Sequence, residues 1–474
     1  MLRSSLGAAA GWPTVAVVAL TVLTHAVLPP GWLQVGLAGL AFLLVARDRR
    51  FGVLGTATLL LLALPYDRAA SNDLVRIASV PIRPHDLIAG VGLAASLPAA
   101  LRLRRSGTAL VIGGFLAVGV FAFVLGVVLG NAPRDILRDA RWWFLYAAGL
   151  LALGVPAARP RILRGLLLGA TIFAAVAVLV VLLPAFEDGL KYRSLIYDKP
   201  VLRMQFGNSV FLIPATLYVA RRWFGRPSWW AAAWLLLLCA GVALSVTRVL
   251  MLLTLACLVV GVAWWLGRSQ GRLRRGAAIV GLALAGMVLG LGVNLLHPVA
   301  GALVGIVPPI EGGGLFDRLT FQGSASTEAI GSGRFESYVN AVNRIRTSPV
   351  IGLGMGSLID ADFEFGGVET ATPGKSPLVD NAYLTVGLKA GAVGIAALVV
   401  LLLWPLTAWR RRHRDRVATW LLPAWLGVLG LTMTQSFATN GYSPFTLSLL
   451  IAVLGGLGYA STRRSRALDH RKRS

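Results

Sequence analysis

The sequence predicts an all-α, polytopic integral membrane bundle of about 14 helices that carries one large extracytoplasmic loop with short helices of its own. Three observations lead there. Of 474 residues, 56% are hydrophobic and only 14% are charged, with a mean hydropathy of +0.73; an ordinary soluble domain carries a charged fraction nearer ~25%. Apolar runs of roughly 17–22 residues recur along the chain, each long enough to cross ~30 Å of hydrocarbon as a helix. One polar stretch, 294–380, interrupts that pattern.

Lipid offers the backbone no hydrogen-bond partner, so the apolar runs are expected as helices. In chain order they fall at 12–28, 32–46, 51–65, 85–100, 108–129, 142–156, 165–184, 206–220, 230–246, 249–266, 276–293, 381–408, 417–435 and 445–460. The first follows a short basic start and reads as an uncleaved signal anchor. Four regions result: an N-terminal transmembrane bundle (1–293), the large loop (294–380), three C-terminal spans (381–460) and a basic tail (461–474).

Charge sets the expected orientation. The net charge is +25 and the isoelectric point near 11.4, which in a soluble protein would suggest nucleic-acid binding. Here the basic residues gather in alternate loops: Arg47/Arg49/Arg50, Arg102/Arg104/Arg105, Arg159/Arg161/Arg164, Arg221/Arg222/Arg226, Arg268/Arg272/Arg274/Arg275, Arg410 to Arg416, and the tail from Arg463. With Arg3 they make 28 of the 45 Lys and Arg residues, accompanied only by Asp48, Asp415 and Asp469. The positive-inside rule accounts for this pattern. It predicts a multi-pass protein of the cytoplasmic membrane with cytoplasmic termini, the 294–380 loop outside, membrane lipids as partners and no nucleic acid. Cys239 and Cys257 lie within neighbouring spans and read as small apolar core residues, a disulfide being the alternative.

The outward loops carry the chemistry. In 130–141, Arg134, Arg138 and Arg141 recur at three- and four-residue spacing, so a helix would align them beside a parallel stripe of Asp135 and Asp139. This reads either as an interfacial turn facing headgroups or as an anion contact. The 185–205 loop, with Lys191, Arg193, Lys199 and Arg203, has the same two readings. In the large loop, 308–332 is rich in Gly and Ser. Residues 333–347 have helical spacing through Phe335, Val339, Val342 and Ile345, with Ser332 as N-cap and Pro349 as terminator. Gly352, Gly354 and Gly356 then predict a tight turn, 360–377 an acidic loop or lid, and Asp380-Asn381 the start of the next span. Arg248 stands apart in Ser245-Val246-Thr247-Arg248, at a span joint with almost no loop. It is placed to snorkel to headgroups or to point into a cavity.

Three of these pieces together resemble the O-antigen ligase family of polytopic membrane glycosyltransferases, which includes related polysaccharide polymerases. Ser332-Gly333-Arg334, then a helix, then Ser348-Pro349-Val350-Ile351-Gly352-Leu353-Gly354 is similar to the family's SGR…P-x-x-G-x-G signature. Asp380-Asn381, nine residues, Gly391, two residues and Gly394 is similar to its His-Asn, nine residues, Gly-x-x-Gly pattern, with Asp in place of the His. Thr247-Arg248 is similar to the Ser/Thr-Arg pair opening a mid-chain span. Peptidoglycan-polymerising membrane glycosyltransferases look similar in plan and use an outer-loop Asp.

The resemblance implies a glycan donor on a polyprenyl-pyrophosphate carrier and a hydroxyl acceptor on a lipid or glycan. Such a reaction needs the leaving pyrophosphate stabilised and the acceptor hydroxyl deprotonated on the opposite face of the sugar. Guanidinium forks suit a diphosphate, which makes Arg248 and Arg334 the expected catalytic cations, with Arg203 and Arg141 as further substrate-binding ones. Asp380 is the expected base, an N-cap role being its alternative. Asn381 positions acceptor or base, and Glu336 is the alternative base, with His85 and His297 behind it. Gly354 is expected in the turn, and Gly391 and Gly394 in close helix packing within a span. Asp360, Asp362 and Glu364 read as a solvated lid. Neither a metal nor a cofactor is expected, and transfer is expected to invert. A polymerase of the same chemistry, a non-catalytic relative and a lipid-linked glycan transporter are the alternatives.

Overall fold

The computed structural model describes residues 17–18, 20–21, 32–64, 75–77, 80–82, 84–102, 106–155, 158–182, 192–196, 199–203, 207–245, 247–267, 273–304, 337–360, 375–376, 379, 381–412, 417–433, 437–439 and 443–455. Its helices are α1 (Trp32–Arg47), α2 (Gly52–Ala63), α3 (Pro84–Ser96), α4 (Gly107–Val128), α5 (Pro133–Phe144), α6 (Ala147–Gly154), α7 (Ala158–Leu182), α8 (Leu212–Gly225), α9 (Trp229–Leu244), α10 (Arg248–Leu266), α11 (Leu273–Val304), α12 (337–346), α13 (Ala382–Arg412), α14 (Ala418–Thr432) and α15 (Ser443–Gly455).

Among the described residues, five helical stretches have the length and hydropathy to cross a bilayer: Gly107–Val128, Ala158–Leu179, Val249–Leu266, Leu273–Gly292 and Ala382–Thr407. Shorter apolar helices, including Gly52–Ala63, Trp229–Leu244 and Ala418–Thr432, lie among them. Several expected spans prove to be jointed. The 142–156 run divides at Leu145 and Tyr146, between α5 and α6. The 85–100 run ends in a 3-10 turn (Leu97–Arg102), and the 206–220 run begins with one (Gly207–Phe211).

Sequence explains the helix starts and packing. Ser106 Oγ accepts from Ala109 N at 3.1 Å and Ser228 Oγ from Ala231 N at 3.3 Å, capping α4 and α9. Along α4, Ile112, Phe115, Gly119, Ala122 and Gly126 are buried at helical spacing, while Leu110, Val120, Val124 and Val128 are exposed as a lipid-facing side would be. α2 packs against α7, where a Cβ on Gly165 would stand 2.1 Å from Gly55 O. Lipid tails are as apolar as the helices, so association relies on such close packing.

The basic loops meet one another. Arg161 Nε donates to Arg49 O at 3.1 Å, Arg164 Nη1 to Arg50 O at 3.2 Å, and Arg275 Nη1 to Phe224 O at 3.3 Å. These arginines therefore close helix ends as well as carrying charge. Cys239 and Cys257 are both free and buried.

Three short antiparallel ladders accompany the otherwise helical fold: β1 (Val75–Ile77) with β2 (Val80–Ile82), β3 (Tyr192–Ile196) with β4 (Lys199–Arg203), and β5 (Ile359–Asp360) with β6 (Lys375–Ser376). They lie in three of the longer segments between helices. There the run between helices doubles back, and strand pairing satisfies its backbone.

α12 forms where helical spacing predicted it, but with a different inner face. Ser337 and Ala341 are buried and Ile345 packs inward, whereas Val339 and Val342 are 40% and 37% exposed. The helix carries Val on one side and Ser/Ala on the other. The smaller residues win the interior because they let α12 approach Ile359, Val379 and Leu388 closely, forming a small core distinct from the main one. The 308–332 segment lies outside the described residues.

Candidate functional site

The two glycine motifs interlock. α13 is not continuous: Gly391 takes φ 59, ψ −154, a backbone state reserved for glycine. A break there releases two backbone donors beyond it and two acceptors before it. The turn after α12 takes all four. Ala392 N donates to Pro349 O at 2.8 Å and Val393 N to Val350 O at 3.2 Å; Leu353 N donates to Leu388 O at 2.9 Å and Gly354 N to Lys389 O at 3.0 Å. The freed groups are those an unbroken helix would pair as 392 to 388 and 393 to 389. The segment 349–354 has been inserted into the helix ladder.

The insertion needs glycine. Gly352, Gly354 and Gly356 have φ of 74°, 75° and 83°. A Cβ on Gly354 would lie 2.3 Å from Gly126 N, and one on Gly126 would lie 2.2 Å from Met355 O. Gly391 and Gly394 are thus corrected from helix-to-helix packing to parts of the break. A side chain on Gly391 would strike Val350, and one on Gly394 would strike Ala390 and Val386 of its own helix across the bend.

The turn is sunk between helices rather than displayed on the loop, so its polar groups require partners. Met355 N donates to Ala122 O of α4 at 2.8 Å. One amide, Asn131 Nδ2, donates to both Leu353 O at 3.0 Å and Met355 O at 2.8 Å. Gly356 N donates to Asp139 Oδ2 at 2.7 Å. Lys389 Nζ donates to Ser357 O and lies 2.8 Å from the same Asp139 oxygen.

These charges belong to a buried group. Asp135 and Asp139 are 0% and 1% exposed, and Lys389 is 0% exposed. Arg138 Nη1 is 2.7 Å from Asp135 Oδ1, and Arg138 Nε is 3.9 Å from Asp139 Oδ1. The arginine spacing in 130–141 predicted a helix, and one runs from Pro133 to Phe144, with Pro133 at its first turn. Its Asp stripe does not face headgroups, however. It turns inward: Asp139 meets Lys389 and the Gly356 N–H, while Asp135 pairs with Arg138. Arg141 Nε ion-pairs Asp86 of α3 at 3.1 Å, so its charge has a carboxylate partner. α5 is further seated by Trp143, whose Nε1 donates to Phe115 O at 2.9 Å and whose ring stacks on Phe115.

Asn381 caps α13. Its Oδ1 accepts from Tyr383 N at 2.9 Å and Leu384 N at 3.1 Å, and its Nδ2 donates to Met433 O at 2.9 Å. The cap considered for Asp380 therefore belongs to Asn381. Thr385 Oγ1 donates to Val379 O at 3.1 Å and accepts from Val379 N at 3.3 Å, fixing the residue on the other side of Asp380.

Arg334, Glu336 and Asp380 lie outside the described residues, as do Asp362, Glu364 and Ser332. The backbone of Arg248 opens α10 directly after Thr247, which is tied back to Ser245 through Thr247 Oγ1 to Ser245 O at 3.1 Å; this is the near-absent loop the sequence predicted. Arg203 ends β4. The side chains of Arg248, Arg203 and His297 are likewise outside the description. His85 is buried, with Nε2 3.4 Å from Leu64 O. Asp360 is exposed, and its carbonyl accepts from Asn340 Nδ2 at 3.0 Å.

Of the expected site residues, Gly354, Gly391 and Gly394 come together at the break, while Asn381 caps the start of the same helix. The sequence reading missed Asn131, Asp139 and Lys389 as partners of the break. A signal existed: Lys389 is a charge within an apolar span, and a stripe of two carboxylates stood elsewhere without a stated partner.

Comparison with known proteins agrees with the motifs. Residues 231–399 match the family model described as O-antigen ligase. That interval runs from α9 through the broken part of α13 and contains Arg248, Arg334, the glycine turn and Asp380-Asn381. No curated protein matches the chain.

Proposed function

We propose that the protein, whose residues 231–399 match the O-antigen ligase family model, transfers a glycan from a polyprenyl-pyrophosphate donor to a hydroxyl of a lipid or glycan acceptor at the outer face of the cytoplasmic membrane. A polymerase would run the same step with a growing glycan as one partner. The observation that carries this reading is the joining of both motifs. The P-V-I-G-L-G stretch fills the gap that Gly391 opens, so two sequence-distant pieces of the family signature form one unit.

In this reading the bundle of about 14 spans places its basic loops in the cytoplasm and the 294–380 insert outside. Arg248 and Arg334 neutralise the departing pyrophosphate, with Arg203 as a further cation. Arg141 contributes less, since Asp86 already balances it. Asp380 takes the acceptor proton, and Glu336 is the alternative base. Attack opposite the pyrophosphate inverts the anomeric centre. The pyrophosphate linkage stores the driving force, and arginines supply the charge that a metal would otherwise provide.

A transporter is the second reading, and one observation favours it: discontinuous helices and buried charges are transporter devices. Against it, the freed backbone groups at Gly391 are consumed by the protein's own turn, and Lys389 by Asp139. Nothing of this break is left to coordinate a passenger.

The test uses purified protein with lipid-linked oligosaccharide and acceptor. The proposal expects Arg334→Ala and Arg248→Ala each to lower turnover at least about 100-fold with unchanged elution in detergent, as removal of a transition-state charge contact does. Wild-type turnover in both variants would remove the arginines from the reaction.

A further inference from the structure

Nothing in the proposed reaction uses Asp139 or Lys389, yet they are among the most deeply buried charges described, and they converge on the glycine turn. We infer that Asp139 and Lys389 are a positioning pair: together they lock the turn into the break of α13, and so fix the outer half of that helix, with the loop core resting on it, against α4 and α5.

The pair holds successive turn residues from two sides. Asp139 accepts from Gly356 N at 2.7 Å, and Lys389 donates to Ser357 O. Lys389 is also bound through its main chain, since its carbonyl accepts from Gly354 N at 3.0 Å. It is therefore tied to the turn through both its main-chain carbonyl and its ammonium, two residues before the break. The charged groups facing it are Asp139 at 2.8 Å and, behind that carboxylate, Arg138 and Asp135. Two acids and two bases make the group neutral in sum. That suits an internal clamp and not an anion subsite.

The clamp's reach follows from what rests on this half helix. Ala341, Ile359 and Val379 pack with Leu388, the residue before Lys389. Val379 is bonded to Thr385, and Asn381 caps the first turn. Val379 and Asn381 are thus built onto 382–390, and any tilt of that half helix moves them. Asp380 stands between them in sequence; the consequence for transfer rests on the function proposed above, whereas the clamp itself does not.

The experiment uses the full chain in lipid nanodiscs. Buried charges removed together and replaced by apolar groups of similar size commonly leave a fold intact, so the informative variant is Asp139→Leu/Lys389→Met. Hydrogen exchange is expected to speed at least about ten-fold in peptides covering 352–357, with peptides of α9 and α14 unchanged, because only the local opening becomes easier. In the donor assay kcat is expected to fall at least about ten-fold with KM within about two-fold, the pattern of a misplaced reacting group and not of lost binding. Should the double variant not fold, Asp139→Asn carries the same comparison, since it keeps an oxygen for Gly356 N–H and loses the ion pair. Wild-type exchange across 352–357 would overturn the clamp. Fast exchange with wild-type kcat would overturn its positioning role. If the wild-type protein releases no polyprenyl pyrophosphate, the functional reading fails, and the exchange measurement alone still decides whether the clamp exists.

Discussion

A lysine ammonium with no exposure sits in this bundle because oxygen atoms surround it. Asp139 Oδ2 is 2.8 Å away and the Ser357 carbonyl accepts from it. Taking a charge out of water costs several kcal/mol, and breaking a buried pair by removing one partner costs about 3–5 kcal/mol. Lys389→Met alone is therefore expected to destabilise the protein by that order through a stranded Asp139, and the double replacement to be far milder; thermal unfolding in one detergent compares them. Asn131 is the corresponding neutral case. Its Nδ2 serves two buried carbonyls, and each one left unpaired costs about 1–3 kcal/mol. Asn131→Ala should lower the unfolding midpoint measurably, and a midpoint equal to wild type would mean the turn is held by its backbone bonds alone. Residue-scale reading of the sequence went furthest where one residue type has one use. Three alternating glycines gave the turn correctly. It went less far with Asp135 and Asp139, because an amphipathic stripe looks the same whether its charged side meets headgroups or a lysine from a helix some 250 residues later.

At the scale of elements, α13 explains why the Gly-x-x-Gly spacing follows Asp-Asn. An apolar run of this length reads from sequence as one continuous span, since glycine is common in transmembrane helices. Only the arrival of the 349–354 segment reveals Gly391 as a break. Hydropathy carries no information about which loop inserts where, so the sequence reading assigned the glycine turn to the outer loop. Gly391→Ala tests the element directly. The new methyl would lie 2.4 Å from the Val350 carbonyl in a backbone state costing about 1–3 kcal/mol by itself. The expected outcome is loss of both exchange protection at 349–354 and glycan transfer. Gly113→Ala, on α4 where nothing stands within 4 Å, should leave both unchanged.

For the whole molecule, composition and the recurring apolar runs were enough to reach a helical membrane protein, because each span must satisfy its own backbone. The jointed spans were less legible, since 3-10 turns and helix breaks do not interrupt an apolar run. The two-sided distribution of arginine yields a topology that can be checked in cells. A single cysteine at Thr370 should react with a membrane-impermeant maleimide added outside, and one at Ser269 should react only after permeabilisation. The native Cys239 and Cys257 are buried and contribute little background. Reversed labelling would place the insert in the cytosol and remove any access to an outer-leaflet acceptor.

The most direct measurement follows the lipid carrier itself. Purified protein in nanodiscs is mixed with a lipid-linked oligosaccharide and a hydroxyl acceptor, and products are quantified by mass spectrometry. Free polyprenyl pyrophosphate is expected to accumulate in step with glycosylated acceptor, and to be lost in Arg334→Ala. An acceptor that stays unmodified while the donor remains intact, or crosses the bilayer with its glycan still attached, would contradict glycan transfer as the function of this protein.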